Sequence, residues 1–232
     1  MKTAIFSVMA AGALLVLMGC HNRTEVQALA SGQMEALKPM QQSWRGVLPC
    51  ADCEGIETSL FLEKDGTWVM NQHYQGAKAP SSFATYGSWA RTADKLVLTA
   101  TDGEKHYFRA KGAALEMLDR EGNPIDSQLN YTLEPVTAAL PSTPMAMRGM
   151  YFYMADAAIF TDCMTGKKVS VTNNAQLERD YAAARGSDSK PVLLTVNGHF
   201  TLEPNPDSGE SVKTLVPDRD ARFEPGKNCD RK

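Results

Sequence analysis

Two cysteines separated by two residues, Cys50 and Cys53, stand in the stretch Trp44-Arg-Gly-Val-Leu-Pro-Cys-Ala-Asp-Cys-Glu-Gly-Ile. Pro49 and Gly55 bracket the pair, so the backbone turns there between two β-like segments. Thiols at this spacing close into a small disulfide, exchange disulfides with a partner, or grip a soft ion such as Cu(I). Two sulfurs suffice for linear Cu(I), whereas a structural zinc site usually needs four ligands. Met40, Met70 and His73 are the nearby side chains that would extend the set. A single methionine or histidine on a strand is more often packing or surface. Two readings therefore stand open, a redox-labile disulfide and a copper site at Cys50 and Cys53. A thioredoxin-type oxidoreductase would carry its thiol pair at a helix N-terminus, which lowers the thiol pKa. Here the pair precedes a strand pattern, so that mechanism is missing. No Ser-His-Asp spacing, His-Glu-x-x-His or phosphate loop occurs, and His106 and His199 fall within strand patterns. The chain reads as a non-enzyme.

Which chemistry the thiols meet depends on the compartment, and the N-terminus addresses it. Lys2 is the only charge in residues 1–19, and residues 4–18 are apolar apart from Ser7 and Gly12. That run is shorter than the ~20 residues a spanning helix needs. It reads as a secretory signal peptide. It ends in Leu17-Met18-Gly19-Cys20, which resembles the bacterial lipobox. In that motif the thiol receives diacylglycerol and the chain is cut just before it. The likeness implies a diacylglycerol and an N-acyl chain on Cys20. Two membrane signals already give stable anchoring, so three acyl chains would hold permanently. The next residue is His21 rather than Asp, which favours the outer membrane, with the protein facing the periplasm.

The chain has 24 Lys+Arg against 27 Asp+Glu, a net charge of −3. With no basic stripe, nucleic acid is excluded as a partner. With Cys20 assigned to lipid, Cys50, Cys53, Cys163 and Cys229 remain, an even number that suggests disulfides in three possible connectivities. Local pairing, Cys50–Cys53 and Cys163–Cys229, keeps each bond inside one domain, although a crossed pattern stays open. A Cys163–Cys229 bridge would close a long loop, contribute about 4 kcal/mol and pin a tail rich in Asp, Pro and Gly.

The elements that must position these thiols follow from patterning. Residues 20–43 read as the lipidated start and a tether, with a short helix weakly marked within it. Residues 44–135 read as antiparallel β, with Ile56, Thr58, Leu60 and Leu62 on one face. Asp65-Gly66, Asp102-Gly103 and Gly122-Asn-Pro supply turns. About eight strands at 8–12-residue spacing predict a closed meander, a barrel or sandwich. Residues 136–147 hold two prolines and read as a linker, and residues 148–232 as a second unit. In it, residues 174–185 carry Leu177, Tyr181 and Ala184 at helical spacing, with Asn173 or Asn174 as cap. Asn197-Gly198 is expected as a hairpin turn, and the strand from Lys213 as an edge strand ended by Pro217. Four or five strands and one helix suit a small Greek-key barrel of OB type.

The stretch from Trp44 through Leu62, the lipobox-like Leu17-Met-Gly-Cys20, Met150-Tyr-Phe-Tyr-Met-Ala-Asp-Ala and the late Cys229 closely resemble the NlpE (CutF) family of outer-membrane lipoproteins. The resemblance covers essentially the whole chain. It implies an all-β protein, a lipocalin-like N-terminal barrel followed by an OB-fold domain. It implies activation of the Cpx two-component system through the periplasmic domain of its inner-membrane sensor kinase. Links to copper homeostasis and to surface contact come with it. It matches Cys50 and Cys53 to the family's proposed copper-binding Cys-x-x-Cys, and Cys163 and Cys229 to its C-terminal disulfide. A lipocalin-like barrel further raises an apolar ligand, although an eight-strand barrel is also filled by its own side chains. The oligomeric state stays open.

Overall fold

A computed structural model describes residues 42–77, 81–187, 189–205 and 208–229. The residues read as a signal peptide, Cys20, Met40 and the stretch read as a tether, up to residue 41, lie outside the described residues.

Eight strands follow one another as a meander: β1 (Gln42–Leu48), β2 (Gly55–Leu62), β3 (Thr67–Gln75), β4 (Ser82–Arg91), β5 (Leu96–Ala100), β6 (Lys105–Lys111), β7 (Ala114–Met117) and β8 (Thr132–Val136). Each pairs antiparallel with the next, and β1 closes on β8 with Ser43 opposite Val136. Closure demands a glycine, because a Cβ on Gly46 would lie 2.5 Å from the Thr132 carbonyl oxygen. Asp65-Gly66 makes the β2–β3 turn with Gly66 at φ 85, a conformation glycine adopts freely. Leu60, Trp68, Leu98, Phe108 and Leu133 are completely buried and fill the interior. Trp44 and Trp68 donate their indole N–H groups to the carbonyls of Ala113 and Ser88, so neither buries an unmet donor. β1 starts at Gln42, so the last two residues assigned to the tether belong to the barrel.

The second barrel comprises β9 (Met145–Met154), β10 (Ala157–Asp162), β11 (Lys168–Val171), helix α1 (Ala175–Ala184), β12 (Val192–Pro204) and β13 (Ser211–Glu224). Its strands close in the order β10-β11-β13-β12-β9, with β11 and β13 parallel. That is a five-stranded barrel with one helix, and among the described residues the protein is all-β apart from it, as the patterning and the resemblance imply. α1 lays Leu177 and Tyr181, one turn apart, onto the barrel, where Tyr181 packs edge-on against Tyr151 at 5.4 Å.

Four local expectations change. β9 begins at Met145, inside the stretch read as linker, because Met145 and Met147 are core residues of the second barrel. Asn174 precedes α1 without a side-chain cap, and its amide donates to the Tyr151 hydroxyl instead (3.4 Å). Asn197-Gly198 is not a hairpin turn. β12 runs unbroken through it, and the pair forms a bulge against β13. Glycine is there for space, since a Cβ on Gly198 would lie 2.6 Å from the Val216 carbonyl oxygen. β13 is not an edge strand and Pro217 does not end it. It lies between β11 and β12, and Pro217 faces Gly198 at the bulge, where the ladder is already irregular and proline is tolerated.

Both barrels belong to one compact unit and share a face. Phe61, Val69 and Tyr86 project from β2, β3 and β4 into one buried cluster with Met145, Met147, Phe160 and Phe200.

Candidate functional site

Cys50 and Cys53 are joined across the loop from β1 to β2, their Cα atoms 5.3 Å apart. Both are half-buried, while Ala51, Asp52 and Glu54 are exposed. The loop is tied down at its end by the Glu54 amide, which donates to the Gln75 carbonyl. The loop runs from one strand to the next, so the pair does not stand at the helix N-terminus of a thioredoxin-type site. Met70 is 2% exposed and faces the barrel core. His73 shares a 2.9 Å hydrogen bond with Ser82 at the surface. Among the described residues no three His, Cys, Asp or Glu side chains converge on one point. When reduced, the pair offers two soft donors, a set suited to Cu(I) and not to a four-ligand zinc site.

Cys163 and Cys229 are joined with Cα atoms 5.1 Å apart, at a sequence separation of 66. The bond fastens the tail to the end of β10. Arg148 supports both sides: its carbonyl accepts from the Cys163 amide, and its guanidinium donates to the Asn228 carbonyl at 3.0 Å. Beside the cystine, buried Asp162 divides its carboxylate between two tasks. Oδ1 accepts from the amides of Met164 and Thr165 and from the Thr165 hydroxyl, which shapes the turn carrying Cys163. Oδ2 accepts a 2.6 Å hydrogen bond from the hydroxyl of Tyr86, on the other barrel. Burial, and then the Asp162 charge, push the Tyr86 phenol far above its ordinary value, so it stays a donor. Tyr86, Arg148, Cys163 and Met164 border a cleft of about 480 Å³ between the barrels.

A second polar contact crosses the same face. Lys213 of β13, with its side chain 8% exposed, places its ammonium 2.8 Å from both Glu63 Oε2 and Asp65 Oδ2. It also lies over the Phe200 ring at 5.1 Å. Burial pushes the Glu63 carboxyl up against the pull of Lys213. At Asp65 burial also acts upward, but Lys213 and hydrogen bonds from Thr67 together hold it below the usual range.

The chain matches the NlpE N-terminal domain over residues 44–128 and the NlpE C-terminal OB domain over residues 141–230. It is 68% identical over 229 residues to Lipoprotein NlpE of Escherichia coli (strain K12), covering 98% of this chain and 97% of that one. The chain belongs to the NlpE family. The crystal structure of the Cpx pathway activator NlpE from Escherichia coli is 70% identical, covers 83% of this chain and all of that one, and superposes with a TM-score of 0.42.

Within this NlpE-family chain the remaining sequence candidates have structural roles. His106 packs edge-on against Trp68 at 6.1 Å, and burial lowers its pKa. His199 pairs through Nδ1 with Asp218 at 2.9 Å. Near Met70, His106 and Phe108 the first barrel has a cavity of about 180 Å³, below the ~300 Å³ at which ligand pockets begin. Tyr86, Asp162, Arg148, Glu63 and Lys213 are the residues that sequence reasoning missed. No local pattern announces them, because Phe61, Val69 and Tyr86, which are buried beside them, stand on the outward face of their strands. Among the described residues no helix is long and apolar enough to cross a membrane.

Proposed function

We propose that this protein is an envelope-stress sensor of the outer membrane, held there by acyl chains on Cys20 and signalling through the periplasmic domain of the Cpx sensor kinase. The supporting observation is its near-full-length identity to Lipoprotein NlpE, whose crystal structure is that of a Cpx pathway activator. The chain acts by contact and not by catalysis. Its oxidation-sensitive part is Cys163–Cys229. Oxidised, the bond staples the tail and steadies the turn that presents Asp162 to Tyr86. Left unformed, the second barrel loosens and a surface otherwise held at the barrel contact becomes available to a partner.

The test is a Cpx-responsive reporter in cells whose only copy is Cys163→Ser/Cys229→Ser. Raised output against wild type at equal protein level supports the reading, and unchanged output leaves the bond a staple only. Mass spectrometry of the mature N-terminus tests the anchor, and a free amino terminus would remove it.

A second reading concerns Cys50 and Cys53 as a Cu(I) site for copper efflux or delivery, favoured by the exposed loop and its two soft donors. Equal Cu(I) uptake by reduced wild type and Cys50→Ser/Cys53→Ser would end it.

A further inference from the structure

A recess bordered by the start of β1, the end of β2, the segment that follows β8 and Leu202 of β12 has a volume of about 410 Å³, within the ~300–1,000 Å³ of small-molecule sites. Phe61, Leu62, Ala138, Leu140 and Leu202 give it an apolar side, and Gln42, Ser43 and Thr137 line the rest. One acidic side chain, Glu63, lines it as well, and is nine-tenths buried. Glu63 spends Oε2 on Lys213, while Oε1 is buried without a hydrogen-bond partner. A buried carboxylate oxygen left unmet is costly and rare, and points to something that meets it.

We propose that this recess binds a small amphiphile carrying a protonated amine, with its apolar body on Phe61, Leu140 and Leu202 and its ammonium on Glu63 Oε1. Charge selects the class. Among the described residues Glu63 and Asp65 share one ammonium, that of Lys213, so two carboxylates face a single cation. A protonated amine donates to Oε1 and supplies a second cation. An alcohol of the same length donates without balancing charge. A carboxylate adds a third negative group beside two others and is repelled. The burial that drives the Glu63 carboxyl upward would be offset by such a ligand. This site is separate from both cystines and does not rest on the signalling role.

The experiment titrates the full chain with hexylamine, hexanol and hexanoate, by calorimetry and by NMR of the residues lining the recess. Hexylamine should bind saturably, one to one, and shift Phe61, Ala138 and Leu140. Hexanol should bind at least about tenfold more weakly and hexanoate not at all. A charge-assisted hydrogen bond is worth at least that ratio. Glu63→Gln keeps the shape and should cut hexylamine affinity about tenfold while leaving hexanol unchanged. Leu202→Trp, at the exposed lip, should block entry with the charges intact, and keeps the test decisive if Glu63→Gln fails to fold. No saturable hexylamine binding, equal affinity for all three probes, or hexylamine binding unaltered in these variants would overturn the proposal.

Discussion

Removing the Cys163–Cys229 bond by Cys163→Ser/Cys229→Ser, with Cys50–Cys53 intact, has a calculable cost. The bond closes a loop across 66 positions. The chain entropy returned to the unfolded state by opening such a loop is worth about 4 kcal/mol. The exposed hydrogen bond from Arg148 to Asn228 adds at most about 1 kcal/mol. The cost should fall on the second barrel, since the loop contains β11, α1, β12 and β13 and no strand of the first. The chain's three tryptophans, Trp44, Trp68 and Trp89, all sit in the first barrel. Tryptophan fluorescence in urea therefore follows one barrel, while hydrogen exchange at Val196 and Leu215 follows the other. The variant should lose about 4 kcal/mol at the second-barrel amides and less at the tryptophans. The link through Asp162 is tested by a double-mutant cycle with Tyr86→Phe, which alone should cost about 1.5–3 kcal/mol by stranding a buried carboxylate oxygen. Coupling of at least about 0.5 kcal/mol between the two changes is expected. A loss below about 1 kcal/mol at Val196 and Leu215 would refute the loop-closure reasoning. Additivity within about 0.3 kcal/mol would refute the link.

Lys213→Met leaves Glu63 and Asp65 facing each other without their cation and should cost about 3–5 kcal/mol by urea denaturation; a cost near zero would show that the ammonium is not held between them. His106 has its folded-state pKa lowered by burial, against smaller upward pulls from Glu104 and Asp102. The unfolded chain gains this proton near pH 6.5, so stability should fall as pH drops below that value and level off below the folded pKa, and His106→Phe should flatten that part of the profile. Gly198→Val should destabilise the second barrel by several kcal/mol, since its Cβ meets the Val216 carbonyl, and thermal denaturation with the first barrel's tryptophan signal little changed would locate the damage.

Much of this fold was legible because its signals are local. Alternation in β2 gave the inward face of Leu60 and Leu62, Asp65-Gly66 gave a turn, and Leu177 with Tyr181 gave the buried side of α1. What failed was where one signal serves two structures. Asn-Gly is the sequence of a tight hairpin, but it also fits a bulge where another backbone comes too close for a side chain, and only β13 lying against β12 decides between them. The barrel contact was invisible for a different reason. Phe61, Val69 and Tyr86 occupy positions that alternation gives to solvent, and the surface covering them comes from a part of the chain far along the sequence. Lys213 and Asp65, 148 residues apart, form an ion pair that no local pattern announces. The cysteines were readable by type and number, whereas Asp162, which connects one cystine to the barrel contact, looked like any turn aspartate.

That carboxylate sets how far a change at Cys163–Cys229 can travel. Oδ1 holds the turn beside the cystine and Oδ2 holds Tyr86, so a turn that moves when the tail is released disturbs both sets of bonds together. Lys213 is anchored differently. Its partners Glu63 and Asp65 sit at the β2–β3 turn, and among the described residues no bond of that cluster involves the tail or Asp162. Loss of the cystine therefore weakens one polar anchor of the barrel contact and leaves the other, along with Phe61 and Val69, in place. The expected response is an opening hinged about Lys213, on the side of the cleft that Tyr86 and Met164 border, and not a parting of the two barrels.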